Sequence, residues 1–310
     1  MSGSPLAPPA GGAAPPARCA ACGAADLRAH LRVAGEVGEQ GLVPTTDRFG
    51  VALSDIVRCA RCGHGQLARF PDEDELGQGY RDAVSEDYAA EEAGQRATAR
   101  AELARIERHV RPGRLVDLGC WIGFFAHEAA LGGWDVVGIE PSAWAAGQAR
   151  ARGLEVLEAP LFAAELPEGS FSAVALGDVI EHLPDPGAAL ERVGALLAPG
   201  GVVWMATPDA GSRLARALGA RWWSVIPTHL HLFTRESLGR LLDRHRFDVL
   251  ELGTSPKTFS VRYYLERLAG YWPPLARILV AAARRAGLAE RPWTPDFRDR
   301  MAVVARKRTG

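Results

Sequence analysis

The sequence has no long apolar run and no excess of charge of one sign. No segment reaches about 18 consecutive apolar residues, so we expect none to cross a membrane. The 310 residues carry 36 Lys and Arg against 37 Asp and Glu, a net charge of −1. This balance argues against a broad nucleic-acid-binding surface, while a local patch stays an alternative.

Cysteine is scarce, with five residues in the chain, and the N-terminal stretch does not resemble a secretion signal. Residues 1–16 are mainly Ala, Pro, Gly and Ser, with neither a charged n-region nor an apolar h-region. We therefore predict a disordered leader over residues 1–17. Without such a signal we expect a reducing, cytoplasmic compartment, where thiols are more often metal ligands than disulfides.

Four of the cysteines form two Cys-x-x-Cys pairs, each followed by a glycine, with 36 residues between the pairs. A Cys-x-x-Cys turn directs two thiolates at one tetrahedral ion, and two such turns complete a closed structural zinc site. A redox pair and chance pairing are the alternatives, and the doubled pattern favours zinc. We predict a zinc ribbon over residues 18–80, with short strands at about 27–33 and 55–58. Its ligands would be Cys19, Cys22, Cys59 and Cys62, whereas His64 is interpreted as a solvated turn residue.

The middle of the chain contains a strand, a glycine turn and a helix start. The apolar run Leu115–Leu118 stops at Gly119, and Gly123 opens a helix-like pattern. Glycines let the backbone approach a ligand closely, while the free N–H groups of the next helix point at it. A second apolar run ends on Glu140, 21 residues after Gly119. An acid at this spacing can bind both hydroxyls of a ribose.

Strand-like and helix-like segments alternate through the rest of the chain. This pattern predicts an α/β fold in which a seven-stranded, mostly parallel sheet has helices on both faces, with ligands at the carboxyl ends of its strands. We expect this domain over residues 81–310, with an insert at about 255–298 before the last strand. The predicted strands are 114–118, 135–139, 154–157, 171–176, 202–206, 248–253 and 301–306, and the predicted helices are 89–110, 123–131, 143–152, 187–197 and 235–245.

The turn at 115–123 resembles motif I of the class I S-adenosylmethionine-dependent methyltransferases, with a Rossmann-like fold. It lacks the Gly-x-Gly-x-x-Gly register of nicotinamide-dependent dehydrogenases. Residues 170–186 and 196–208 are similar to the fourth and fifth motifs of the ubiquinone-biosynthesis-like branch, and the order of blocks matches over about 96–252. The resemblance implies S-adenosylmethionine as cofactor, bound by Asp117, Gly119, Cys120, Trp121, Gly123, Glu140, Pro141, Phe162 and Gly177.

Two positions depart from the family pattern. Trp121 replaces a small residue in the motif I turn, so either the turn swings outward or the indole packs over the methionine end of the cofactor. Phe162 stands where the family often has an acid for the adenine amino group. Adenine would then be held by stacking and backbone contacts, with Glu165 as a substitute.

The resemblance also implies an acceptor site at Asp178, Glu181 and His182, which follow the fourth strand. In ubiquinone-type O-methyltransferases and small-RNA 2′-O-methyltransferases a similar run binds a divalent ion with a later histidine, for which His229 and His231 are candidates here. In the alternatives, His182 is a general base, or the acids only cap the following segment. In this family the helix before the first strand often covers the cofactor site, so the resemblance implies that Tyr80 or Tyr88 reaches the sulfonium or the substrate. In the alternative, each tyrosine packs on the interdomain surface.

We therefore predict an S-adenosylmethionine-dependent methyltransferase that acts on a small-molecule or sugar-like acceptor. Oxygen is the atom that we expect it to methylate. The rivals are a sugar C-methyltransferase, a zinc-bearing RNA methyltransferase and, outside enzymes, a zinc-ribbon scaffold with a degenerate cofactor pocket. Trp222 and Trp223 form either an acceptor wall or core. The insert is a cap, a homodimer contact or a membrane-surface element.

Overall fold

The structure is a computed structural model that describes residues 17–35, 49–71 and 73–308. Residues 1–16 of the predicted leader lie outside this part of the chain. Within it, helices are formed by α1 (Glu73–Arg81), α2 (Glu86–Ala89), α3 (Glu92–Glu107), α4 (Phe124–Leu131), α5 (Ala143–Arg150), α6 (Pro186–Leu196), α7 (Arg213–Leu218), α8 (Arg235–Arg244), α9 (Val261–Arg267) and α10 (Pro273–Arg285). None of the described helices is long and apolar enough to span a bilayer.

The described residues include a seven-stranded sheet with the order β10-β13-β8-β7-β4-β5-β6. The five strands from β8 to β6 run parallel, whereas β13 is antiparallel to both of its neighbours. The predicted mostly parallel α/β fold is thus confirmed. The strands are β4 (Arg114–Leu118), β5 (Asp135–Glu140), β6 (Glu155–Glu158), β7 (Phe171–Gly177), β8 (Leu197–Pro208), β10 (Phe247–Thr254) and β13 (Arg300–Lys307).

The boundaries of these elements follow the apolar pattern, with one difference at β8. This strand begins at Leu197, five residues before the predicted start at 202, because Leu197 pairs with Phe171 ahead of a register shift. The central strands are buried on both faces, so their sequences are apolar runs rather than alternating ones. Strand order changes direction between β4 and β7, which is where an open α/β sheet leaves a crevice for ligands.

A second sheet, in the order β1-β2-β3-β9, contains the ribbon strands β1 (Leu27–Leu31), β2 (Ile56–Cys59) and β3 (Gly65–Leu67). Its fourth strand, β9 (His231–Leu232), comes from far beyond the predicted boundary at residue 80 and pairs with β3. The ribbon cysteines share one hydrophobic cluster with the large sheet and α8. The ribbon therefore packs as a continuation of the larger core.

The insert between β10 and β13 contains β11 (Phe259–Ser260), α9, α10 and β12 (Pro292–Trp293). Its first half lies beside the N-terminal end of α3: buried Glu91 accepts hydrogen bonds from Ser260 N and Oγ at 2.7 and 2.8 Å and from Arg262. The insert and the helices before β4 thus enclose the sheet's ligand edge from two sides. This position supports the cap role, while dimer and membrane roles stay predictions.

Candidate functional site

The glycine turn after β4 has the left-handed backbone that its composition predicts. φ is +74° at Gly119, +50° at Trp121 and +84° at Gly123, the residue before α4. A Cβ on Gly119 would lie 2.8 Å from Val179 Cγ2, and one on Gly123 would lie 2.6 Å from Leu154 Cδ1. Both glycines are therefore required by conformation and by space.

Glu140 ends β5 and fixes this turn from the next strand. Its Oε2 accepts a hydrogen bond from Trp121 N at 2.9 Å, and its Oε1 accepts one from Ser142 N at 2.9 Å. Burial raises the pKa of Glu140 to about 7, although the two N–H donors favour its ionised form. The carboxylate lies on the wall of the main cavity, where the remaining lone pairs can accept from a ribose.

The main cavity has a volume of about 1620 Å³ and opens along the carboxyl ends of β4, β5 and β7. Most of the predicted cofactor residues line it, with the insert on the opposite wall. Trp121 also packs against Trp144, with ring centroids 5.7 Å apart, while Glu165 is exposed. The lining includes Gly119, Trp121, Glu140, Pro141, Phe162, Gly177, Asp178, His182, Tyr80, Tyr88, Trp223, His229, Lys257 and Arg300.

A smaller pocket adjoins the turn and is lined by Asp117, Cys120 and Gln95 of α3. Within the described part of the chain, Asp117 Oδ2 and Gln95 Nε2 are buried and have no hydrogen-bond partner. Burial and the neighbouring Glu140 raise the pKa of Asp117 to about 7. Asp117 can accept a hydrogen bond from an ammonium group, and Gln95 can donate one to a carboxylate. S-adenosylmethionine carries both groups at its methionine end, so the site fits this cofactor.

Asp178 stands directly after β7 with φ +57° and is held by two cations. Lys257 Nζ of the insert lies 2.6 Å from its Oδ2, and Arg300 of β13 pairs with its Oδ1. Burial opposes ionisation, but Arg300 and Lys257 outweigh it and hold the pKa of Asp178 well below its usual range. Asp178 is thus paired with two cations and is not part of the group of converging ligand atoms described next, and its role stays a prediction.

Glu181, His182 and His229 come together, with one ligand atom from each lying within 4.8 Å of the others. Glu181 is 1% exposed, and neither carboxylate oxygen has a hydrogen-bond partner among the described residues. Burial, followed by the charge of Asp178, raises the pKa of Glu181 to about 8. A buried carboxyl group without partners is costly unless a proton or a cation neutralises it.

The two imidazoles are oriented by backbone carbonyls. His182 Nδ1 lies 2.9 Å from Thr228 O, and His229 Nδ1 lies 2.8 Å from Ser224 O. A carbonyl can only accept, so each Nδ1 donates its proton and each Nε2 keeps a lone pair. Burial lowers the pKa of His182 to about 4 and that of His229 to about 3, so both are neutral bases at physiological pH.

Tyr80 of α1 completes this cluster. Its hydroxyl oxygen lies 3.0 Å from His182 Nδ1, and the two rings meet edge to face. Burial, with the charge of Glu181 adding to it, raises the pKa of Tyr80. Tyr88 also lines the cavity, but its hydroxyl donates to Gln95 Oε1 at 3.1 Å on the cofactor side.

His64 and His231 occupy positions that differ from the sequence interpretation. The prediction of a solvated turn at His64 was wrong, because its side chain is fully buried and Nε2 lies 3.1 Å from His231 Nδ1. The pairing of β3 with β9 brings the two residues together, and both rings pack against Phe233. Of the two candidates for the later histidine, the structure therefore brings His229 to the acceptor cluster.

The four predicted zinc ligands converge. Cys19 Sγ lies 3.7 Å from Cys62 Sγ, and Cys22 Sγ lies 3.6 Å from Cys59 Sγ. Four thiolates in a regular tetrahedron around zinc stand about 3.8 Å apart, given a Zn–S bond of about 2.3 Å. The cysteine cluster thus fits one zinc ion.

Sequence reasoning missed Gln95, Lys257 and Arg300, and it gave Tyr80 only a family-implied role. Arg300 lies 122 residues from Asp178, and Tyr80 lies 102 residues from His182. No local pattern links such partners.

The paired tryptophans have different environments. Trp222 is buried in the core and donates a hydrogen bond from Nε1 to Asp299 at 3.2 Å, whereas Trp223 lines the cavity.

The family model described as a methyltransferase domain matches residues 89–252, more than half of the chain. The chain belongs to this methyltransferase-domain family, within the class I S-adenosylmethionine-dependent methyltransferases. The fold, the turn and the acid Glu140 at the end of β5 agree with that assignment.

Curated relatives include the ubiquinone biosynthesis O-methyltransferases of Chromobacterium violaceum and Caulobacter sp. strain K31. The first is 29% identical over 153 residues, covering 44% of this chain and 66% of the relative. The second is 37% identical over 101 residues, covering 30% of this chain and 40% of the relative. The chain thus spans less than two thirds of the length of either relative.

Similar solved structures include an S-adenosylmethionine-dependent methyltransferase of Thermotoga maritima and the 1,6-didemethyltoxoflavin-N1-methyltransferase of Burkholderia thailandensis. The first has a TM-score of 0.49 at 21% identity and covers 72% of this chain and 95% of its own. The second has a TM-score of 0.48 at 18% identity and covers 76% of this chain and 87% of its own.

Proposed function

We propose that the chain transfers the methyl group of S-adenosylmethionine to a hydroxyl oxygen of a small-molecule acceptor. The observation that carries this proposal is the cluster of Glu181, His182 and His229. The two neutral imidazoles lie on the wall of the main cavity, and the buried, unpartnered carboxyl group of Glu181 lies beside them. Such groups suit removal of a proton from an acceptor oxygen.

The cofactor would lie along the turn that holds Gly119 and Gly123. Glu140 would accept from the ribose hydroxyls, while Asp117 and Gln95 would pair with the ammonium and carboxylate of the methionine end. These contacts would place the sulfonium methyl where the two pockets meet, because Gly119, Gly177 and Asp178 line both of them. Positioning of this kind supplies most of the catalysis in a direct displacement.

In the proposed reaction, His182 Nε2 takes the proton of the acceptor hydroxyl as its oxygen attacks the methyl carbon. The new O–C bond forms while the S–C bond breaks, and its electron pair stays on sulfur. The products are the methyl ether, S-adenosylhomocysteine and a proton on His182 that passes to solvent. Thr228 O holds the imidazole through Nδ1, so Nε2 faces the acceptor with its lone pair.

The same three residues also suit a divalent ion. One carboxylate and two imidazoles are donors that would hold such an ion, and each Nδ1–H already donates to a carbonyl, as in many metal-bound histidines. When bound there, the ion would lower the pKa of the acceptor hydroxyl as a Lewis acid. Asp178, which is paired with Lys257 and Arg300, would stay outside this ligand set.

The cavity supports an acceptor with a substantial aromatic or apolar body. Its wall on the insert side includes Phe259, Tyr264, Trp293 and Phe297. The ring centroid of Trp223 lies 5.8 Å from that of Phe297. Aromatic walls bind planar or apolar ligands by stacking and burial. The near-zero net charge, in contrast, does not favour an RNA acceptor.

The test is methyl transfer from isotopically labelled S-adenosylmethionine to a panel of diphenols, hydroxybenzoates and free or aryl-linked sugars. We expect a labelled methyl ether, identified by mass spectrometry and by the methyl carbon shift. A C-methyl product would instead support the sugar C-methyltransferase alternative. Failure to bind S-adenosylhomocysteine in calorimetry would overturn the enzyme proposal in favour of a scaffold.

We further propose that Cys19, Cys22, Cys59 and Cys62 hold one structural zinc ion. The small ribbon has little apolar core of its own, so metal binding should contribute to its folding. Metal analysis of the purified chain should find about one zinc per chain. The Cys19→Ser, Cys59→Ser double variant should lose it, and a Cys19–Cys22 disulfide in the native chain would contradict the site.

A further inference from the structure

The ribbon contacts the catalytic cluster through a short chain of backbone hydrogen bonds. Leu67 N–H at the end of β3 donates to Leu230 O at 3.0 Å, and Leu230 N–H donates to Glu181 O at 2.9 Å. Leu230 stands between His229 and the strand β9, and Thr228 O holds His182. The segment 228–232 is thus bound on one side by the ribbon and on the other by the catalytic residues.

Side chains strengthen the same connection. Gln66, which is 1% exposed and faces His231 across the sheet, accepts from Ala20 N at 2.9 Å and donates to Arg18 O at 3.2 Å. It therefore joins the first cysteine turn to β3. At the second cysteine turn, Cys62 O accepts from Thr234 Oγ1 at 3.2 Å, just beyond β9.

We propose that the ribbon is a positioning element of the methyltransferase site, with Gln66 as its key side chain. β3 holds residues 228–232 in the geometry that aims the Nε2 atoms of His182 and His229 at the acceptor. The proposal rests on the proposed function of these histidines. It assigns the ribbon a role in the acceptor half of the reaction and none in cofactor binding.

The physical reason is that segment 228–232 has little regular structure of its own. β9 is two residues long, so its backbone geometry depends on the partner strand rather than on internal hydrogen bonds. Releasing β3 would free the Thr228 carbonyl and His229 together. Misplacement of a base by about 1 Å can reduce a rate by about 10²-fold.

The test compares Gln66→Leu with Arg28→Ala in the full chain. Leucine has a similar volume but cannot bond to Ala20 or Arg18, whereas Arg28 is exposed on β1, at the opposite edge of the same sheet. Amide hydrogen exchange should be about tenfold faster over residues 226–234 in Gln66→Leu and unchanged over 114–123. Arg28→Ala should match the wild type in both segments.

Two further measurements separate positioning from general destabilisation. Gln66→Leu should retain the wild-type affinity for S-adenosylhomocysteine, while kcat for the labelled methyl transfer falls by about tenfold or more. If Gln66→Leu does not fold, a Cys120→Ser chain treated with a thiol-specific mercurial, which then reacts with the ribbon cysteines alone, should show the same local increase in exchange.

Wild-type exchange over residues 226–234 in Gln66→Leu, or in the mercurial-treated chain, would overturn the positioning role. His182→Ala, measured in parallel, keeps this failure distinct from failure of the proposed function. If His182→Ala is slow and Gln66→Leu is not, the positioning role alone is wrong. If His182→Ala has the wild-type rate, the catalytic role proposed for His182 and His229 is wrong.

Discussion

The two parts of the cavity that we propose for the cofactor and for the acceptor, called the cofactor half and the acceptor half, are built in different ways. In the cofactor half, Glu140 bonds to Trp121 and Ser142, 19 and 2 residues away, and both carboxylate oxygens have partners. In the acceptor half, Tyr80 meets His182 across 102 residues, and both oxygens of Glu181 lack a partner within the described ranges. The carboxylate of Glu140 is thus satisfied by nearby backbone, whereas the carboxyl group of Glu181 is unsatisfied in a cluster that distant segments assemble.

This difference predicts that substitutions in the two halves change different measured parameters. Changes in the acceptor half should lower kcat and leave cofactor affinity intact, because their contacts form with the acceptor. Changes in the cofactor half should appear in the affinity for S-adenosylhomocysteine.

The largest effect is expected for His182→Ala. Without its general base, kcat should fall by about 10²–10⁴-fold in single-turnover assays, because the acceptor proton has no positioned receiver. Calorimetry should find unchanged S-adenosylhomocysteine affinity. His30→Ala on the exposed face of β1 is the matched control and should keep the full rate. A wild-type rate for His182→Ala would contradict both the base and the metal-ligand roles.

The buried carboxyl group of Glu181 should make the free energy of unfolding depend on pH. Because burial raises the pKa of Glu181 from 4.5 to about 8, the folded state keeps a proton that the unfolded state releases. Its stabilisation is complete below about pH 4.5 and is lost as pH rises through about 8. Relative to Glu181→Gln, the wild type should lose on the order of 2–3 kcal/mol of unfolding free energy between about pH 6 and 9.

Urea unfolding at the two pH values measures this loss. Glu165→Gln, at an exposed position, should follow the wild type at both pH values. If the unfolding free energies of Glu181→Gln and the wild type change equally between the two pH values, Glu181 is already ionised in the native state. A bound cation beside it would have this effect.

In the cofactor half, Glu140→Ala should weaken S-adenosylhomocysteine binding by on the order of 2 kcal/mol, or roughly 30-fold in Kd. The variant loses the proposed ribose contact and also frees Trp121 N in the turn. Glu155→Ala, at an exposed residue of β6, is the control. Unchanged affinity for Glu140→Ala in calorimetry would remove the ribose assignment.

The smallest effect is expected from the paired variants Tyr80→Phe and Tyr88→Phe. Tyr80→Phe removes a neutral hydrogen bond at His182. Because such a bond contributes about 1 kcal/mol, kcat should fall by about tenfold or less. Tyr88→Phe releases Gln95 and should instead raise the Kd for S-adenosylhomocysteine by a similar factor. If both variants changed the same parameter, the two halves would not be independent.

The site could be predicted from the sequence where its residues follow strands of the large sheet. Glycines that require positive φ, and an acid at the end of the next strand, locate Gly119, Gly123 and Glu140 through local geometry. The paired cysteines likewise predict their own convergence. Lys257 and Arg300 could not be predicted, because an ion pair with Asp178 leaves no periodic or spaced pattern in the chain.

By itself, the sequence determined the α/β alternation, the glycine turn, its acid and the four-cysteine cluster, because each depends on backbone preference and short-range spacing. The tertiary structure alone decided that β9 joins the ribbon sheet, that His64 is buried against His231, and that His229 reaches Glu181 and His182. These contacts form when segments far apart in the chain bury their surfaces together. The energy that fixes them is non-local, so no short stretch of sequence records it.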